Sequence, residues 1–146
     1  MMDKTMPKLL LAIRPKAVTR LSNVLGAEFS LVFCHTVDDA LDKLDEDIDA
    51  VICGTNFDES RMFELLRQVK GNRATRDVPV ICMKVFGGVL HEGSYAGVEK
   101  AVELLEASAY VDFTRWRLEL GKAEAGEKLR ALIRGLTCKT SSSPGN

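Results

Sequence analysis

The sequence predicts an α/β fold in which a parallel β-sheet carries helices on both faces. Short apolar runs alternate along the chain with segments whose apolar residues recur at helical spacing. The first run, Leu9–Ile13, has no polar alternation, which is typical of a strand buried on both faces. Because crossovers between parallel strands are right-handed, the intervening helices come to cover both sides of such a sheet.

Five apolar runs are predicted to be strands. They are Leu9–Ile13, Phe29–Cys34, Ala50–Cys53, Val78–Met83 and Ala109–Phe113. Pro79 stands near the beginning of the fourth run, where a strand tolerates a residue without a hydrogen-bond donor. The prolines and glycines of the chain therefore do not contradict this division into strands.

A helix is predicted after each strand. Pro15 occupies a favourable first helical position, Gly26 ends the first helix, and Thr36 is a good N-cap for the second. The apolar inner faces of the five helices are Val18, Leu21, Val24 and Leu25; Ala40, Leu41 and Leu44; Met62, Phe63, Leu65, Leu66 and Val69; Val98, Ala101, Val102, Leu104 and Leu105; and Leu129, Leu132 and Ile133. The last helix is predicted over about Ala123 to Leu136.

Five strand–helix pairs in succession favour a doubly wound, flavodoxin-like sheet of order 2-1-3-4-5, with a crevice at the carboxyl ends of its strands. We assign residues 8–136 to this one domain, which is long enough to bury a substantial core. Residues 1–7 are predicted to be an N-terminal extension. Residues 137–146, which are rich in serine, are predicted to be a disordered tail.

The composition excludes several classes of protein. A formal net charge of −1 gives no general attraction to nucleic acid or to anionic lipid. The longest apolar runs are too short to span a bilayer, and residues 1–8 lack the apolar stretch of a secretory signal. We therefore expect a cytoplasmic protein with no membrane contact and no direct nucleic-acid binding.

The cysteines predict neither a metal site nor a disulfide framework. Cys34, Cys53 and Cys82 lie inside apolar runs, where a free thiol behaves as a small buried hydrophobe. The chain has no CxxC pair and no Cys/His spacing suited to zinc, and its two histidines stand far apart.

The succession of elements resembles the receiver domain of two-component response regulators across Lys8–Leu136. The strongest local similarity lies in Asp49–Gly54 with the downstream Phe63–Leu66, in Val78–Ile81, and in Ala107–Val111. The resemblance implies the doubly wound fold and a role in signal transduction.

The resemblance also implies where a phosphoacceptor pocket would lie, and there the residues differ from those of the family. The two acids that hold magnesium after the first strand fall on Ile13 and Arg14. The phosphate-accepting aspartate falls on Gly54, the hydroxyl residue of the fourth strand on Lys84, and the lysine of the fifth strand on Phe113. Phosphoryl transfer to an aspartate needs a carboxylate nucleophile and a metal ion. We therefore predict a pseudo-receiver with no phosphoacceptor, no catalytic residue, no metal and no other cofactor.

Two nearby acids are candidates to replace the missing aspartate. Asp49 begins the third strand, and Asp58 follows that strand in the next loop. Neither position is expected to direct its side chain into the pocket.

Two binding functions remain open. The first is a phosphorylation-independent regulatory domain that acts through protein–protein interaction. The second is a sensor of a small anion or phosphorylated metabolite, in which Arg14 and Lys84 flank Gly54 and donate to the ligand. Against the sensor, both cations can instead extend into solvent or pair with Asp58 and Glu59.

A third function, that of a thiol enzyme, is disfavoured. Cys53 or Cys82 would supply the nucleophile, but the sequence offers neither with a base or an oxyanion arrangement. The chain is accordingly predicted not to be an enzyme.

The resemblance also implies a switch and a docking surface. Tyr110 matches the switch aromatic of the family, and Lys84 would hold it in one state; the alternative is that Tyr110 is a core aromatic. Arg115, Trp116 and Arg117 follow the fifth strand and are types common at interfaces, unless Trp116 simply covers the last helix. The resemblance further implies a homodimer through the predicted helix over Val98–Leu105, the fifth strand and the last helix.

Overall fold

The computed structural model of the protein describes residues 6–44, 48–54, 62–85 and 108–137. Within these segments, parallel strands form one sheet of order β2-β1-β3-β4-β5. The strands are β1 (Lys8–Ala12), β2 (Ser30–Cys34), β3 (Ala50–Gly54), β4 (Val80–Lys84) and β5 (Ala109–Asp112). The predicted fold class and strand order are confirmed.

The helices lie between and after these strands. A single turn of 3-10 helix, Pro15–Ala17, leads into the first α-helix. The α-helices are α1 (Val18–Leu25), α2 (Val37–Lys43), α3 (Met62–Gly71), α4 (Phe113–Leu120) and α5 (Lys122–Thr137). The helix predicted over Val98–Leu105 lies outside the described residues, as do residues 1–5 of the predicted extension and residues 138–146 of the predicted tail.

The end of the fifth strand differs from the prediction. The strand ends at Asp112 instead of Phe113, and a helix that was not predicted, α4, begins at the next residue. The Asp112 side chain makes this possible because it accepts a hydrogen bond from the backbone nitrogen of Arg115 at 3.0 Å and so caps the first turn. Gly121 separates α4 from α5 with a φ of 88°, a conformation that favours glycine.

Two hydrophobic clusters cover the two faces of the sheet. Alternate strand residues, such as Leu9, Leu11 and Ile52, pack with α1, α4 and α5, whereas Leu10 and Val51 pack with α2 and α3. Every residue of β3 and β4 is buried. Burial on both faces explains why these strands are continuously apolar in the sequence.

The parallel arrangement brings the carboxyl ends of the strands to one edge of the sheet. Gly54 at the end of β3 is in register with Met83, and Lys84 at the end of β4 is in register with Asp112. The residues that follow β1 complete this edge, which is where the sequence predicts the crevice. Among the helices of the described segments, none combines the length and the apolar character needed to cross a bilayer.

Candidate binding site at the carboxyl ends of the strands

Ile13, the first residue after β1, is part of the core. Its side chain has no exposed surface and packs in the cluster beneath α1. Its backbone nitrogen donates to the Cys34 oxygen at 3.2 Å, and its own oxygen lies 2.8 Å from Nδ1 of His35. The position therefore supplies packing and backbone hydrogen bonds, and an isoleucine offers no ligand to a metal ion.

Arg14 has a different environment from its neighbour. The residue is exposed and extended, with φ −69° and ψ 151°, as expected directly before Pro15. Its carbonyl oxygen accepts from the Ala17 nitrogen at 2.9 Å and so closes the 3-10 turn. The backbone of Arg14 is thus fixed, and its cationic side chain faces the solvent.

Gly54, which the resemblance placed at the position of the phosphate-accepting aspartate, is buried. A Cβ atom built on it would lie 3.6 Å from Cγ2 of Ile13 and 3.8 Å from the Ala12 oxygen. These are ordinary van der Waals distances, so the backbone does not require glycine here. A larger side chain would meet Ile13, and the structure thereby brings two of the predicted pocket residues together as an apolar pair.

Lys84 is a buried cation at the end of β4, with 5% of its surface exposed. Its register partner on β5 is Asp112, whose opposite charge favours burial of an ammonium group. The sequence left open whether Arg14 and Lys84 both extend into solvent. The structure separates them, because Arg14 is exposed and Lys84 is not.

Phe113 also belongs to the core. It is 1% exposed, begins α4 and packs in the same cluster as Ile13. The next residue, Thr114, donates its hydroxyl to the Val85 oxygen at 3.1 Å, which ties the start of α4 to the end of β4.

Asp49, one of the two acids that were candidates to replace the aspartate, does not lie at this edge. Oδ2 of Asp49 accepts from the Lys8 nitrogen at 2.8 Å, at the opposite, amino-terminal end of the sheet. Asp58 and Glu59 lie outside the described residues. Within residues 6–44, 48–54, 62–85 and 108–137, no group of three or more His, Cys, Asp or Glu side chains is arranged to hold a metal ion.

The predicted switch and docking residues divide between the two faces of the sheet. Tyr110 packs against the cluster beneath α2 and α3, whereas Trp116 packs against the cluster beneath α1 and α5. Nζ of Lys128, on α5, lies 4.4 Å from the centroid of the Trp116 ring, a cation–π distance. Trp116 is therefore partly buried and contacts α5 through Lys128.

The two arginines beside Trp116 have separate surroundings. Nε of Arg115 lies 3.2 Å from Oε2 of Glu119 in an exposed ion pair along α4. Arg117 instead lines a groove between α1 and α5 together with Arg20. The trio is thus not one basic patch. No local pattern in the sequence indicated the groove, because its cations come from distant parts of the chain.

Three of the four cysteines of the chain, Cys34, Cys53 and Cys82, are buried as predicted. Burial raises the pKa of the Cys34 and Cys82 thiols to about 12 and that of Cys53 well above its usual value. The Cys34 thiol donates to the Leu11 oxygen at 3.7 Å and the Cys53 thiol to the Met62 oxygen at 3.9 Å. Neutral, hydrogen-bonded thiols are poor nucleophiles at physiological pH, which weighs against a thiol enzyme.

The fold is that of receiver domains. The chain is similar to the signal receiver domain of a signal transduction histidine kinase from Syntrophus aciditrophicus, with a TM-score of 0.69 at 15% identity over 96% of both chains. It is similar to the phosphorylated cyanobacterial phytochrome response regulator RcpA, with a TM-score of 0.67 at 15% identity over 96% of this chain and 99% of that one.

A third similar structure carries a metal ion. It is the receiver domain of a sensor histidine kinase from Pseudomonas aeruginosa PAO1 with magnesium coordinated in its active-site cleft; the TM-score is 0.64 at 14% identity over 90% of this chain and 98% of that one. No protein-family model and no curated protein matches the chain. The resemblance to response-regulator receiver domains seen in the sequence is therefore confirmed at the level of the fold.

Proposed function

We propose that this chain is a receiver-like signalling domain that works without phosphorylation, by binding a protein partner. The observation that carries the proposal is the apolar pair formed by Gly54 and the fully buried Ile13 at the carboxyl ends of β3 and β1. A receiver needs a carboxylate nucleophile at the first of these positions and a metal ligand at the second. Neither residue can serve.

The buried Lys84 supports a fixed signalling state. In a phosphorylated receiver the hydroxyl at this position moves toward the phosphate, and the aromatic residue of the fifth strand turns inward. Here a cation occupies the position permanently, beside Asp112 in the neighbouring strand. Tyr110, one strand away and partly buried, is then held in one state instead of switching.

The partner-binding surface that we propose surrounds the β5 edge of the described sheet. Leu118 on α4 is 82% exposed and so presents a large apolar side chain to a partner. Arg115 and Trp116 lie on the same helix, and arginine and tryptophan are enriched among residues that dominate interface energies. The proposed partner includes a second copy of this chain, in a homodimer through the predicted helix over Val98–Leu105, β5 and α5.

We further propose that the protein is cytoplasmic, is not an enzyme and does not bind nucleic acid directly. Free, buried cysteines such as Cys34, Cys53 and Cys82 suit a reducing compartment. The net charge of −1 provides no general attraction to a polyanionic backbone. The alternative, an anion sensor at Arg14, Gly54 and Lys84, has less support because only one of its two cations is exposed.

The test is titration of the protein with beryllofluoride and magnesium, followed through the amide resonances, with a receiver of intact site as the positive control. We expect no change for the wild type. Gly54→Asp returns a carboxylate to the acceptor position but no metal ligand at Ile13, so it too should not respond. Stoichiometric magnesium binding at this edge, or an acyl phosphate on any aspartate, would contradict the proposal.

Partner binding is tested separately. Sedimentation over a wide concentration range measures self-association, and Leu118→Ala should weaken it if the surface around α4 is the interface. Arg67→Gln, an exposed change on α3, is the control and should have no effect. If Leu118→Ala and a Trp116→Ala variant alter neither self-association nor capture of partners, the surface is not the one we propose.

A further inference from the structure

A groove of about 670 Å³ runs between α1 and the start of α5, beside α4. Its volume falls within the range of small-molecule sites, roughly 300–1,000 Å³. The groove is lined by five cations, Lys16, Arg20, Arg117, Lys122 and Arg130. Considering only the described segments, none of its lining residues is acidic. This accumulation of one sign of charge is local, since the net charge of the chain is −1.

The cations of the groove are held close to one another. Arg20 on α1 donates through Nη1 to the Val85 oxygen at 3.1 Å, which anchors its guanidinium at the end of β4. Burial, and after it the positive charge of Arg117, lower the pKa of Arg20. Like charges from α1 and α4 thus face each other across the groove, an arrangement that an anion between them would relieve.

Arg130 forms a fixed wall. Its Nη1 donates to the Val24 oxygen at 2.9 Å, and its Nε and Nη2 donate to Oε1 of Glu127 at 3.2 and 3.1 Å. Its charge is therefore largely compensated. The other lining cations are Lys16 and Arg20 beside β1 and on α1, Arg117 on α4 and Lys122 at the start of α5.

Gly126 keeps this wall close to α1. A Cβ atom on it would lie 3.2 Å from Nη1 of Arg130 and 3.6 Å from Cγ1 of Val24, which is tighter than an ordinary contact on the arginine side. Val24 and the buried Phe113 give the groove an apolar part as well. A site with a few cations and an apolar portion is typical of ligands that have a charged end and a carbon body.

We propose that this groove binds a small molecule carrying two or more phosphate groups. Guanidinium groups donate to phosphate oxygens in pairs, and lysines add point charges that suit the same anion. Exposed cations contribute little individually, so a single phosphate gains little from any one of them. A ligand with several phosphates engages cations of α1, α4 and α5 together. Neither Ile13 nor Gly54 lines the groove, so failure of this proposal would leave the proposed function untouched.

The test uses inorganic tripolyphosphate and inorganic phosphate as probes, at near-physiological salt and without metal. Tripolyphosphate should shift the amide resonances of residues 16–24 and 117–126 saturably, while inorganic phosphate binds at least about tenfold more weakly. Arg117→Gln should weaken tripolyphosphate binding by about tenfold, because removing one arm of a charge-assisted contact costs on that order. Lys122→Gln should weaken it too. Because Lys122 is exposed, this variant still tests the proposal if Arg117→Gln fails to fold.

Arg67→Gln on α3 carries the same loss of charge outside the groove and is the matched control. An equal loss of affinity in Arg67→Gln and Arg117→Gln, or the absence of saturable binding, would overturn the proposal. Vesicles of phosphatidylcholine with and without a phosphoinositide bisphosphate distinguish two sources of the ligand. Vesicle binding that Arg117→Gln abolishes supports a lipid headgroup, and tripolyphosphate binding without vesicle binding supports a free phosphorylated molecule.

Discussion

The carboxyl ends of the strands and the groove between α1 and α5 differ in the number and exposure of their charged side chains. At the strand ends, Ile13 and Gly54 form an apolar pair, and Lys84 is 5% exposed beside Asp112. In the groove, cations from three helices line one open concavity. The described residues at the crevice where this fold usually binds a ligand are thus mostly buried in the core. The basic groove instead lies between helices.

This difference teaches that the fold does not determine where a ligand binds. A doubly wound sheet offers a crevice at its strand ends, but the side chains there decide whether the crevice is used. Four predictions sharpen the comparison, in order of the effect expected.

The largest effect is expected from truncation at the strand ends. Phe113→Ala removes a ring that is 1% exposed, and we expect the free energy of unfolding to fall by about 3–5 kcal/mol because the change leaves a cavity. Urea denaturation measures the loss. Leu118→Ala, only five residues away but 82% exposed, is the control and should change stability by less than about 0.5 kcal/mol. Similar values for the two variants would show that Phe113 does not belong to the core.

The buried thiols provide the second prediction. The pKa of Cys82 is raised from 9.0 to about 12 by burial, so its thiolate fraction at pH 8 is roughly a thousandfold lower than in the unfolded chain. Iodoacetamide should therefore label Cys34, Cys53 and Cys82 far more slowly in the native protein than in urea. Peptide mapping quantifies each thiol separately. Rapid native labelling of Cys53 or Cys82 would revive the thiol-enzyme hypothesis.

The same shift gives stability a defined pH dependence. A thiol whose pKa is higher in the folded state holds its proton more tightly there, so its contribution is complete below the unfolded pKa of about 9. Stability then falls as pH rises from 9 toward 12, by at most about 1.4 kcal/mol per pH unit for each thiol. Cys82→Ala should reduce this slope, and an unchanged slope would assign the effect to other groups.

The smallest effect is expected at the wall of the groove. Hydrogen bonds from Arg134 and Arg130 lower the pKa of Glu127, so its contribution is present above its unfolded pKa of 4.5 and is lost as pH falls through the folded value. Glu127→Gln should slightly lower the melting temperature at pH 7 and leave it unchanged near pH 2. Glu124→Gln, an exposed change on the same helix, is the control. A decrease that persists in acid would point to lost packing instead of lost charge.

Much of the fold follows from local sequence. Leu9–Ile13 and Ala50–Cys53 are continuously apolar because both faces of their strands are covered, and this pattern alone indicated a parallel sheet. The proposal that the phosphoacceptor is absent also began in the sequence, where the resemblance placed Gly54 at the end of the third strand. The structure adds that Ile13 is buried in the core, which the spacing of residues in the sequence does not show.

Other features depend on tertiary structure. Helix α4 was missed because its N-cap, Asp112, is the last residue of a strand, and only its side chain shows that a helix begins at the next residue. The groove was missed because Lys16 and Arg20 are about a hundred residues from Arg117 and Lys122, and only the packing of α1 beside α5 unites them. Tyr110 and Trp116 lie on opposite faces of the sheet. This could not be predicted because the sequence places the end of the fifth strand at Phe113, one residue beyond its end at Asp112.

Helix α4 follows β5 with no intervening loop, since the strand ends at Asp112 and the helix begins at Phe113. Asp112 caps that helix, Phe113 is embedded beneath it, and Thr114 ties it to Val85. Because no loop separates β5 from α4, a movement of the strand is coupled to a movement of the helix. We therefore expect a tilt of β5 to move Leu118, which lies about one and a half helical turns along α4, so a partner bound at this leucine as proposed would respond to the position of the strand.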